Sequence, residues 1–290
     1  MAYTTSDLLA SVNRLAFIPA GQVTFSNAEI LAIADEETQT KIMPRLMAIR
    51  EEFFVYPYTT AVTANKRLYP IPPRSIGGMV REVRLINAQG TYLDLERIEP
   101  EAVQSQSTGS PTQFYLEGES VALYPIPNST DSTLEISFFI EQGRLVDVTE
   151  SGVISTIDTV NNIVTLATIP STWATGQSFD FASSKGSQAY KGLDNTGTVS
   201  SNTIQFSSLP TTLEVGDYVT IAETSVLVQL PRNMRAVLSQ FTAARLLEAQ
   251  NQPGAEKMAE TAVMSLEAGI RMLSPRVHGA SRTMMPDLWF

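Results

Sequence analysis

A chain of 290 residues, 43% apolar and with a formal net charge of −10, holds enough material for one composite domain or two ordinary ones, each with a buried core. That charge argues against a generic nucleic-acid binder, which needs a basic stripe to neutralise phosphates, and the lack of cysteine excludes disulfides, thiolate nucleophiles and zinc–cysteine sites. The single histidine, His278, leaves no H-E-x-x-H metal site, and a Ser-His-Asp triad would have to draw it from what reads as an extended tail.

The opening MAYTTSDLLASVNR lacks the basic start and continuous apolar run of a signal peptide, and no stretch approaches the roughly eighteen apolar residues of a membrane span. A protein made in a cytosol is expected. The first helix is predicted over Ser6 to Phe17, with Leu8, Leu9, Val12, Leu15 and Ala16 on one side and Thr5 or Ser6 as its cap. Ser26 followed by Glu29 is a capping box, in which the serine oxygen accepts an orphan N–H and the glutamate answers it. From there Ile30, Ile33, Ala34, Ile42, Leu46, Ile49 and Phe53 recur at helical spacing. A helix from this cap to Phe54 would span roughly 42 Å at about 1.5 Å per residue. Pro44 should kink it, because proline lacks an N–H and crowds the preceding turn.

The period then changes. Strands are predicted at Lys66–Ile71, Met79–Asn87, Thr91–Leu95, Gln113–Glu117, Ser120–Tyr124 and Thr133–Glu141, with Glu117-Gly118-Glu119 as a tight hairpin. Leu-Tyr-Pro-Ile-Pro occurs at Leu68–Pro72 and again at Leu123–Pro127; each copy suits an edge strand or a strand exit. From Val146 to Val226 the chain is rich in Thr, Ser, Val and Ile and repeats itself at an offset of 40 residues: NIVTLATIPSTWATGQSFDFA from Asn162 overlays NTIQFSSLPTTLEVGDYVTIA from Asn202. Two units are too few for a solenoid, so a small closed barrel or a sandwich with an approximate internal twofold is expected. Helical spacing returns at Pro231–Gln250 and Gly254–Leu273, and the chain closes on SPRVHGASRTMMPDLWF.

The expected fold is therefore α+β: a four-helix layer drawn from both chain ends, an antiparallel β-sheet, and an inserted small β-barrel or sandwich. Its domains are residues 1–145 with 227–290, and the insert 146–226. No catalytic, cofactor or metal site is expected. Glu36 with Glu37, and Glu51 with Glu52, are paired carboxylates, but neighbours on a helix point about 100° apart and do not converge on one atom; a solvated helix face is the simpler reading. No glycine-rich phosphate loop occurs. Trp173 is a possible sugar-stacking ring, although its counterpart in the second copy, Leu213, favours packing.

FSNAEILAIADEETQTKIMPRLMAIREEFF, RLYPIPPRSIGGMVREVRLI, GSPTQFYLEGESVALYPIP and the final helix pair together resemble the head-to-tail adaptor (tail tubular protein A-like, head completion) proteins of tailed bacteriophages, over about Ser6–Leu145 and Leu227–Leu273. The resemblance implies a virion connector at the neck, assembled in the host bacterial cytoplasm. Its members form a ring, typically of about twelve subunits, with a helical wall and termini that grip the portal. The partners it implies are further copies of the chain, the portal protein, and a tail tube or nozzle protein, with the genome passing through the channel during ejection without specific binding and no membrane involved. Arg276, His278, Arg282, Met284, Met285, Leu288, Trp289 and Phe290 are the candidate portal-binding residues on this view. The Val146–Val226 insert departs from smaller members of the family. The alternative from another class is a carbohydrate-binding or host-recognition module that acts through this insert.

Overall fold

The structure, a computed structural model, describes residues 2–18, 24–103, 107–185 and 190–273. It is a mixed α+β architecture of helices, several sheets and one closed six-stranded barrel.

Helix α1 (Thr5–Leu15) is capped by Thr4, which accepts from the Asp7 N–H while the Asp7 carboxylate accepts from Thr4. The expected caps, Thr5 and Ser6, lie one and two residues too far along, because Asp7 completes a reciprocal box only with Thr4. Helix α2 (Asn27–Glu37) starts at the predicted Ser26–Glu29 box.

The single long helix is not observed. After Glu37 the turn Thr38–Ile42 widens, and the Met43 N–H reaches back five residues to the Thr38 carbonyl. Widening makes room for the ring of Pro44, which sits in the first turn of α3 (Met43–Met47). The helical path then ends, Arg50 turns away at φ −139°, and a short 3-10 turn (Glu51–Phe54) leads into a strand that helical spacing hides, Val55–Ala61. Aromatic and β-branched residues around Pro57 satisfy a sheet edge better than a helix.

That strand edges an antiparallel sheet in the order Val55–Ala61, Ser132–Ile140, Ser75–Asn87, Tyr92–Asp94. A second sheet runs Leu68–Pro70, Ser120–Tyr124, Gln113–Glu117, with Glu96–Arg97 added in parallel. Both Leu-Tyr-Pro copies meet here: the first is the edge strand and the second ends its neighbour. The sheets face each other through Tyr69, Val83, Leu85, Phe114, Leu123, Leu134 and Ile136, so the expected single sheet is two layers of a sandwich.

Helices α4 (Arg232–Ala249) and α5 (Ala255–Leu273) form a hairpin. One buried cluster gathers Leu8 and Val12 of α1, Ile30 and Leu31 of α2, Val237, Leu238 and Phe241 of α4, and Ala262 and Leu266 of α5. Residues more than two hundred positions apart thus share a core. No helix among the described residues is long and apolar enough to cross a membrane.

The insert closes as a barrel in the order Gly152–Asp158, Ile163–Leu166, Thr203–Phe206, Tyr190–Ser200, Ser178–Ala182, Tyr218–Ile221. Each repeat unit contributes three strands, one more than the sequence repeat shows. The first two pair as a hairpin, and the third crosses to the other unit: Ser178–Ala182 pairs with Tyr190–Ser200, and Tyr218–Ile221 with Gly152–Asp158. The halves interlock, so neither closes alone. Their equivalence reaches single hydrogen bonds, since Leu166 N–H donates to Asn202 O at 2.9 Å and Phe206 N–H to Asn162 O at 3.0 Å. The core, including Val164 with Ile204 and Leu166 with Phe206, is paired in the same way.

Candidate functional site

The barrel leaves and rejoins the body at adjacent points, where Arg144–Leu145 and Thr224–Ser225 run side by side as two parallel bridges. Beside this stem, the Val55–Ala61 edge and the barrel wall enclose a cleft of about 650 Å³, lined by Tyr56, Tyr58, Pro72, Phe138, Asp194 and Pro210 among others. A neighbouring hollow of about 440 Å³ is lined by Tyr56, Gln142, Tyr190, Lys191 and Gln229.

Arg74 sits at the floor. Pro72-Pro73 end the preceding strand in a turn closed by Ser75 N–H to Pro72 O, and the Arg74 carbonyl accepts from Glu141 N–H at 2.8 Å. Its side chain is thereby aimed across the junction at Asp180, the middle of the barrel strand Ser178–Ala182. The Arg74–Asp180 ion pair is buried on both sides, and the guanidinium lies over the Tyr190 ring, 4.9 Å from its centroid. Asp180 also accepts from the N–H groups of Asp194 (2.9 Å) and Glu223 (3.1 Å). Burial pushes its carboxyl up, opposed by Arg74 and by the Asp194 N–H. Three donors and no acceptor face it, an arrangement only the ionised form satisfies.

Tyr190 belongs to the same cluster. Its hydroxyl accepts from Gly143 N–H at 2.9 Å, and burial pushes its phenol up. A Cβ at position 143 would stand 2.6 Å from that oxygen, so glycine permits the approach. Gln142 adds a further link, donating to Gln229 O at 2.6 Å. On the helical side, Asp35 faces Glu141 and Arg144 across a smaller hollow; burial raises it to about 6, with Arg144 opposing and Glu141 assisting. Sequence reasoning singled out none of these residues. Arg74 and Asp180 are 106 positions apart, and only the fold joins them.

These groups tie the barrel to the body. Among the described residues no three His, Asp or Glu side chains are arranged to hold a metal ion.

The carboxylate pairs fall apart as expected, but not all on a solvated face. Glu36 is exposed, whereas Glu37 is buried, ion-paired with Lys41 and 3.7 Å from Arg245. Its position on the α2 side that meets α4 explains the burial. Glu51 and Glu52 are exposed and face different arginines, Arg81 and Arg50. Trp173 is 7% exposed and packs inside the barrel 4.9 Å from Phe179, while Leu213 packs at the equivalent place. The candidate portal-binding residues Arg276, His278, Arg282, Met284, Met285, Leu288, Trp289 and Phe290 lie outside the described residues. No protein-family model and no curated protein matches this chain.

Proposed function

We propose that this chain is a non-enzymatic adaptor subunit that joins a portal to a tail at the neck of a tailed-phage virion, as a ring of about twelve copies around a channel for DNA. In this reading α1, α2, α4 and α5 are the four-helix layer that forms the ring wall, and the terminal segment from residue 274 reaches the portal. The observation that carries it is the pairing of a shared core with an unfinished surface. Helices from both chain ends bury one cluster, yet α5 leaves Val263 47%, Met264 63% and Met272 77% exposed around the rest of its circumference. A helix that spends apolar residues beyond its buried face fits a subunit with neighbours.

The barrel, locked to the body by Arg74 and Asp180, is a rigid arm whose direction is set within each subunit. Its contacts are the tail tube or nozzle. The glycan-binding alternative gains nothing from Trp173, whose ring is inside the barrel. Electron microscopy of the purified full chain mixed with its portal tests the reading: rings seated at the portal base are expected. Discrete monomers that leave the portal bare, at every concentration tried, overturn it.

A further inference from the structure

On a chain of net charge −10, one hollow is basic. Between α1 and the start of α4 a cleft of about 460 Å³ is lined by Arg14, Arg232 and Arg235 with Tyr3, Ser11 and Ser239. Among the described residues none of these arginines forms an ion pair; Arg14 and Arg232 are exposed, whereas Arg235 is half-buried. Arg235 is fixed in place: its Nε donates to Leu230 O at 3.3 Å, and its guanidinium lies 5.3 Å from the Tyr3 ring centroid. Tyr3 is itself held by Ser11 and Ser239. Burial lowers Arg235, and Arg232 adds to the effect, with Tyr3 and Asp7 opposing. Arg232 is the first residue of α4, where the helix dipole disfavours a cation. Among the described residues the only acidic group acting on Arg235 is Asp7, already engaged by the Thr4 cap of α1, so the three cations outnumber it. The Gln240 Oε1 atom, also at this cleft, is buried without a partner.

The complementary charge is on α5. Glu256, Glu260 and Glu267 are exposed, make no ion pair among the described residues, and at 100° per residue fall within about 40° of arc, over roughly 17 Å of helix. Glu256 and Glu260 are like charges four apart, which costs an isolated helix stability. Exposed Val263 and Met264 lie beside them; Lys257 and Arg271 flank the stripe.

We propose that the arginine cleft of one copy receives the glutamate stripe of α5 from a second copy. Cleft and stripe are different surfaces, so the contact is head-to-tail and propagates around an axis. The inference rests on the ring reading and names its interface: charges select the register, and Val263 and Met264 supply the apolar centre.

The test uses two full-length variants with exposed substitutions only. One carries Arg14→Glu and Arg232→Glu; the other carries Glu260→Arg and Glu267→Arg. Mass photometry should show the wild type as a closed oligomer, each variant needing at least about tenfold more protein to assemble, and an equimolar mixture assembling like the wild type, since acidic cleft meets basic stripe and basic cleft meets acidic stripe. Circular dichroism and melting curves confirm that both variants fold. If wild type and variants assemble alike, the interface is wrong and the ring reading stands. A wild type that stays monomeric, with and without portal, overturns both. If Arg14→Glu/Arg232→Glu loses only affinity for duplex DNA and still assembles, the cleft serves phosphates and the inference falls.

Discussion

The two copies of the barrel repeat share one backbone and differ in what each half faces. Equivalent strands carry Asp180 in the first copy and Thr220 in the second, both fully buried. Asp180 meets Arg74 of the body and accepts two backbone N–H groups of the insert itself, whereas Thr220 stays within the insert and donates to Thr224 O at 2.8 Å. The loops differ in the same way. Trp173 fills one end of the core where Leu213 fills the other, and the turn cap is Gln177 in one copy and Asp217 in the other. Pairing of the interior is thus set by barrel closure, whereas divergence is concentrated where one half must attach to something else.

Making the first copy like the second at its most divergent position should have the largest effect. Asp180→Thr leaves a buried guanidinium without its carboxylate and removes the acceptor of the Asp194 and Glu223 N–H groups. A loss of about 3–5 kcal/mol in urea denaturation is expected. Adding Arg74→Leu should return most of it, because removing both charges costs far less than stranding one. A double variant as unstable as the single one would mean that Asp180 acts through its N–H bonds alone. The attachment between barrel and body would then owe nothing to the ion pair.

Exchange of the loop anchors comes next. Trp173→Leu opens a cavity beside Phe179 and should cost about 2–3 kcal/mol, less than full truncation because leucine refills part of the space and because the buried indole N–H has no partner to lose. Leu213→Trp should cost about 1–3 kcal/mol by overpacking. Carrying both substitutions moves the large ring to the other end of the barrel. If the pair costs no more than Leu213→Trp alone, the two ends are interchangeable and the twofold extends to packing volume; thermal melts decide.

Legibility in the sequence follows the same division. Signals confined to a few neighbouring residues could be read: the Ser26–Glu29 box, the Glu117-Gly118-Glu119 hairpin, and the second and third strands of each repeat unit, whose Pro170/Pro210 and Gly176/Gly216 recur in register. The first strand of each unit escaped because little beyond Gly152/Gly192 and Thr156/Thr196 survives between the copies. Val55–Ala61 escaped for another reason. Apolar spacing runs on through Phe53, and nothing local announces that Phe139 and Phe138 lie opposite Val55 and Tyr56. The candidate site was the least legible part. Arg74, Asp180 and Tyr190 are unremarkable residues in their own segments and acquire meaning only where the barrel is set against the sandwich.

The smallest expected effect concerns the caps, and pH separates them. Gln177 Oε1 accepts one N–H, from Ala174 at 2.9 Å. Asp217 accepts the equivalent N–H from Glu214 at 2.8 Å and adds Ser184 N–H at 3.0 Å and Lys191 Nζ at 2.8 Å. Burial pushes Asp217 up, but Lys191 and the two N–H groups outweigh it and hold the carboxyl below the ordinary aspartate value. A carboxyl whose folded value is depressed contributes stability that is present above the unfolded value and lost as pH falls through the folded one. Asp217→Gln keeps the cap seen in the first copy and loses the charge, so at pH 7 it should cost about 1–2 kcal/mol. The gap to wild type should begin to narrow below about pH 4 and go on closing as the solution becomes more acid. Gln177→Asp, with no lysine opposite, should change stability little at pH 7. A gap for Asp217→Gln that stays constant from pH 7 to pH 3 would make Asp217 a neutral cap like Gln177, and the two loops would then differ in sequence without differing in electrostatics.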